Sequence, residues 1–173
     1  MTALLCSVVL FAAAASPQQG SSPSLQATMQ LIQDGILGQH THAGDYTAVQ
    51  ADTATCTLSW TAVDTYVKKP PFTQQTEQKV SFNDIANVSV AYDELAADWN
   101  LELYAAPGKK VEVYTFFFKK SLYPCEQCKK LAEARSERLR WFIYFTDADT
   151  ADREAKAIMH AAELCRGSMK PPF

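Results

Sequence analysis

WFIYFTDADTADREAKAIMHAAELCRG, residues 141–167, is the stretch whose reading decides the fold. Its first five residues are an unbroken apolar run of strand length, followed by a polar, turn-forming TDADT. Beyond that turn the period changes. Ala151, Ala155, Ile158, Met159, Ala162 and Cys165 recur at helical spacing and define one apolar stripe. Gly167 is expected to cap the helix, and Pro171 and Pro172 cannot continue it. The alanines of the stripe are small enough to let a helix lie close against a sheet. A terminal strand feeding a helix that seals a sheet is therefore the expectation from this stretch.

Working outward, the preceding residues alternate with period two. Cys56, Leu58, Trp60 and Ala62 fall on one face of a strand, with Thr57, Ser59 and Thr61 on the other. KKPPF, residues 68–72, interrupts the pattern because paired prolines cannot donate to a sheet ladder. Extended structure resumes at EQKVSF. It continues through Val88, Val90 and Tyr92, then through Trp99, Leu101 and Leu103. APGKK, residues 106–110, is a turn by composition and leads into VEVYTFFFKK. Near the start, Leu25, Met29, Ile32 and Ile36 keep helical spacing behind Ser24, an N-cap residue. The expected class is α+β: a curved antiparallel sheet or partly open barrel capped by a C-terminal helix, with an N-terminal helix and a CxxC helical insert.

Three of these stretches together resemble the pleckstrin-homology-like architecture over about residues 55–166. VSFNDIANVSVAYD is similar to that family's strand, acidic-Ile corner and following strand. WNLELYAAPGKKVEVYTF is similar to the next hairpin, and WFIYFTDADTADREAKAIMHAAELC to the last strand and its capping helix. The resemblance implies a scaffold that serves binding rather than catalysis. Lipid-binding members cluster basic residues in their first inter-strand loop. Here that region holds Lys68, Lys69 and Lys79 without arginine, so phosphoinositide binding is not expected.

The N-terminus is of a different kind. ALLCSVVLFAAAA, residues 3–15, is apolar and uncharged, and small residues precede Ser16. That is the pattern of a secretory signal peptide, too short for a stable membrane anchor, although no Lys or Arg precedes the run. The expected organisation is a signal peptide over 1–15, a flexible linker over 16–24 and an N-terminal helix and loop over 25–45. A domain over 46–167 and a tail over 168–173 complete it. Export to a bacterial periplasm or the extracellular medium follows as an expectation, with no membrane insertion once the leader is removed. The 173 residues carry a net charge of −3, which offers no broad attraction for nucleic acid.

Removing the leader would also remove Cys6 and leave Cys56, Cys125, Cys128 and Cys165. An even count in an oxidising compartment favours disulfides. Four cysteines allow three pairings. Cys56 shares a strand face with Leu58 and Trp60, and Cys165 lies on the helix stripe, so Cys56–Cys165 with Cys125–Cys128 is the favoured pairing. SLYPCEQCKKLAEARSERLR, residues 121–140, places Cys125 and Cys128 at the start of a charged, helix-like segment, where a helix dipole would activate a thiolate. A periplasmic thiol–disulfide protein is thus the alternative. Against it, only 45 residues follow Cys128, too few for the remaining strands of a thioredoxin-like domain. His40 and His42 with Cys125 and Cys128 would form the alternative zinc set.

Tyr114, Phe116, Phe118, Phe142 and Tyr144 give the late strands a second apolar face. It must be covered, by the CxxC helix or the N-terminal helix, or else serve as a partner surface. No nucleophile elbow, phosphate-binding Gly loop or HExxH motif is present. The sequence reading is thus an exported, non-enzymatic binding or structural module that needs no cofactor. Its partner, a protein or a small ligand, is unspecified.

Overall fold

The computed structural model describes residues 23–42, 44–66, 72–119 and 132–168. The N-terminal helix α1 spans Leu25–Ile36. Ser24 caps it by accepting the Ala27 N–H at 3.3 Å, which satisfies one of the amides that the first turn leaves free. Met29, Ile32 and Ile36 turn inward and are buried. Gly38 follows at φ +79°, a left-handed turn that a side chain would strain.

Two antiparallel sheets form the rest. The larger has six strands in the order β1-β2-β3-β4-β7-β8. These are β1 His40–Thr41, β2 Gly44–Asp52, β3 Thr57–Tyr66, β4 Phe72–Ser81, β7 Val111–Lys119 and β8 Ala132–Arg138. The smaller has the order β5-β6-β9, from Ile85–Asp93, Asp98–Ala105 and Arg140–Phe145. The C-terminal helix α2 runs over Ala148–Ser168 and packs on α1, β5, β6 and β9. Asp147 caps its start, accepting the Thr150 N–H at 2.7 Å.

The class is α+β with antiparallel sheets and a C-terminal helix, as the sequence implies, but the strands divide into two sheets with no closed barrel. The chain changes sheet at corners, the usual way for strands to pass between crossing layers. β6 and β7 lie end to end along β9 and β8: Leu103 pairs with Trp141 and Tyr104 with Arg140, then Val111 with Arg138. Residues 106–110 bulge between them, with Gly108 at φ +77°. APGKK is therefore a step from one sheet to the other. The bend at Leu139 is its counterpart on the opposite strand, joined to it by the Ala105 N–H to Leu139 carbonyl bond at 2.9 Å.

The helical insert needs correction. Residues 132–138 form β8, paired with β7 from Phe117↔Ala132 to Val111↔Arg138. Opposite charges at i, i+4 contribute only about 0.2–0.5 kcal/mol each to a helix. AEARSER also alternates small and charged residues with period two, and the open edge of β7 offers a full ladder. Tertiary pairing wins over local propensity. A charged sequence on this edge also discourages pairing with another molecule. Cys125 and Cys128 lie outside the described residues. Gly167 needs correction too: it sits inside the last turn of α2 instead of ending it.

Leu58, Trp60, Val80 and Val113 from the larger sheet meet Leu101, Leu103, Trp141, Ile143 and Phe145 from the smaller in one core. Ala151, Ile158 and Ala162 of α2 and the inner face of α1 complete it. Two polar links also join the sheets. The Trp141 indole N–H donates to the Gln78 side-chain carbonyl. The Tyr46 hydroxyl accepts the Tyr144 backbone N–H at 2.8 Å, capping a donor on the free edge of β9.

Cys56 and Cys165 are disulfide-bonded, with Cα atoms 5.9 Å apart. Cys56 ends the β2–β3 turn at φ +52°, and its carbonyl accepts the Phe82 N–H at 2.8 Å. One residue thus ties the start of β3 to the β4–β5 corner through its backbone and to α2 through its sulfur. In the chain-entropy model, a cross-link across 109 residues contributes about 4–5 kcal/mol.

Candidate ligand groove

α1 lies along the edge of β2 beyond its short pairing with β1, and the Gln33 side chain accepts the Ala51 N–H there at 3.2 Å. This leaves an open groove of about 580 Å³ between the end of α1 and strands β2, β3 and β4. Gln33 and Leu37 form the helix side; Gln50, Ser59, Thr61 and Glu77 are among the strand residues that line it. Leu37 and Ala48 supply the exposed apolar surface, over the buried Val49 and Trp60. The volume is in the range of small-molecule sites.

Among the described residues the lining is rich in carboxamides and hydroxyls, with Glu77 its single carboxylate and no Lys, Arg or His. Gln75 already donates to Glu77 at 2.9 Å. Gln78 also borders the groove, but its carbonyl is taken by Trp141. The buried Trp60 indole N–H has no partner among the described residues. Such a surface offers neutral donors and acceptors beside an apolar strip. It suits an uncharged, hydrogen-bonding ligand, with Lys79, the cross-strand partner of Ser59, the cation nearest in register to the lining.

The residues singled out from sequence are distributed elsewhere. Cys56 and Cys165 are consumed in the core disulfide. His40 and His42 each meet a different carboxylate: His40 Nδ1 lies 3.0 Å from Asp45, and His42 Nδ1 lies 3.2 Å from Asp98. Asp98 is only 1% exposed and also accepts the His42 backbone N–H at 2.7 Å, pinning the β1–β2 turn to the start of β6. Among the described residues, no group of three or more His, Cys, Asp and Glu is placed to hold a metal ion.

The five aromatics do not share a sheet. Tyr114, Phe116 and Phe118 belong to β7 in the larger sheet, Phe142 and Tyr144 to β9 in the smaller. The side chains of the first three lie outside the described residues. Phe142 and Tyr144 are half-buried and stack, ring centroids 6.3 Å apart. The Tyr144 hydroxyl donates to Asp93 at 3.3 Å. Burial first, then the Asp93 charge, holds its pKa above the ordinary tyrosine value. Glu102, across from Phe142, takes the Tyr104 hydroxyl at 2.6 Å and Arg140 at 3.0 Å. Among the described residues this face sets the two rings beside Glu102 and its partners, and the buried Asn100 Oδ1 opposite Tyr144 is left without a hydrogen bond.

Glu154 was not singled out from sequence. It is fully buried between α1 and α2, and the signal for it was present. It stands three residues after Ala151 and four before Ile158, inside the apolar stripe. The groove residues carried no such signal, since glutamines on separate strands converge only after pairing. Comparison with family models, with curated proteins and with solved structures finds no match to the chain.

Proposed function

We propose that the chain is an exported binding module, built on a pleckstrin-homology-like scaffold, that takes a small uncharged hydrogen-bonding ligand in the α1–β4 groove. The observation that carries this reading is the groove's composition: about 580 Å³ lined by carboxamides, hydroxyls and a short apolar strip, with no Lys, Arg or His among the described lining residues. The C-terminal helix packed on antiparallel sheets supports the scaffold, and the core disulfide is compatible with an oxidising compartment.

The reading is tested by amide NMR mapping with a neutral trisaccharide and a capped neutral tripeptide as probes at millimolar concentration. Shifts at Gln33, Gln50, Ser59 and Thr61, weakened at least fivefold in Gln50→Ala, are expected for one of the probes. Shifts confined to another surface, or none with either probe, would overturn it.

A further inference from the structure

Glu154 occupies the contact between the two helices and is 0% exposed. Its carboxyl group lies over Gly35 of α1, so closely that a Cβ there would collide with it. One oxygen, Oε1, accepts from Arg153 Nε at 3.1 Å. The other, Oε2, is buried and has no partner among the described residues. An ionised carboxylate with half its acceptors unpaired is costly to bury, whereas a protonated one is not.

The surroundings favour the neutral form. Burial pushes the Glu154 pKa above the ordinary carboxyl value; Arg153 on the same helix opposes this, and Asp34 on α1 adds to it. Among the described residues, β5, β6, β9 and the turn at Phe82–Asp84, the other elements against α2, contribute no charge that acts on it. The two helices are also held differently. α2 is tethered covalently through Cys165. α1 is held without a covalent bond, by side-chain packing and the Gln33–Ala51 bond. Behind it the Gly38 N–H donates to the Tyr46 carbonyl at 3.0 Å, and ahead of it His160 Nε2 of α2 contacts the Pro23 carbonyl at 3.3 Å. Gly35 lies midway between the groove residues Gln33 and Leu37.

We propose that Glu154 against Gly35 is a proton-operated clasp: protonated, it seats α1 on α2 and sets the groove wall; ionised, it lets α1 lift. The consequence for a ligand rests on the groove reading above, but the clasp itself does not. The direction follows from linkage. A carboxyl whose folded pKa is raised contributes fully below its unfolded value, and that stability is lost as pH rises through the folded value.

The test is hydrogen exchange of α1 and thermal melting of the full, oxidised chain at pH 4.5 and pH 8, for wild type and Glu154→Gln. Wild-type α1 should exchange at least threefold faster at pH 8 after correction for intrinsic rates. Glu154→Gln should remove that rise and melt higher than wild type at pH 8, with the gap closing at pH 4.5. Identical pH profiles, or a variant less protected at pH 8, would overturn the clasp. Should the variant not fold, NMR titration of the wild-type Glu154 carboxyl decides: a midpoint at or below the ordinary value overturns it. These readouts need no ligand, so they stand or fall separately from the groove mapping.

Discussion

Gly35 and Tyr46 show how single atoms set the packing. A methyl group at Gly35 meets the buried Glu154 carboxyl, which must be displaced from its seat to make room. Gly35→Ala should therefore destabilise by about 1–3 kcal/mol despite its better helix propensity, measured by urea denaturation. Tyr46 is buried, and its hydroxyl serves the Tyr144 N–H at the edge of β9. Burial keeps the phenol neutral well beyond the ordinary range. Tyr46→Phe leaves that N–H without its partner and should cost about 1–3 kcal/mol in the same assay. At this scale the sequence was partly legible. Ser24 announces its cap by residue type, and Leu58 and Trp60 announce burial by alternation. Tyr46 does not, because its partner is a backbone group 98 positions away.

Elements were legible where periodicity and length agreed. α1, β3, β6, β9 and α2 follow from spacing, because each buries one face and must segregate its apolar residues to do so. β8 did not, since an edge strand buries little and carries a charged sequence that also suits a helix. The step at residues 106–110 looked like a hairpin turn because Pro and Gly mark a reversal or a bulge equally well. The element most dependent on a covalent bond is α2. Cys165→Ser should lower stability by about 2–5 kcal/mol, seen as a drop in Tm that reductant reproduces in the wild type. Ser24→Ala, by contrast, should cost only about 1 kcal/mol and fray α1 alone, read by exchange of its first-turn amides.

For the whole molecule, the curved sheet expected from the strand pattern is two sheets, because the long β6–β7 and β9–β8 ribbon steps between layers. A pattern of alternating residues records which face of each strand is apolar, but not which sheet the strand joins. The groove is a property at this scale alone, made where a helix end meets three strands, and nothing local in Gln33, Gln50 or Thr61 foretells it. α1 and the smaller sheet pack on α2, and α2 is tied to the turn at the start of β3 in the larger sheet by its bond to Cys56. The most direct test is peptide mapping of the unreduced protein by mass spectrometry. A linked pair of peptides containing Cys56 and Cys165 is the predicted result. A Cys56 peptide joined to Cys125 or Cys128 would contradict it.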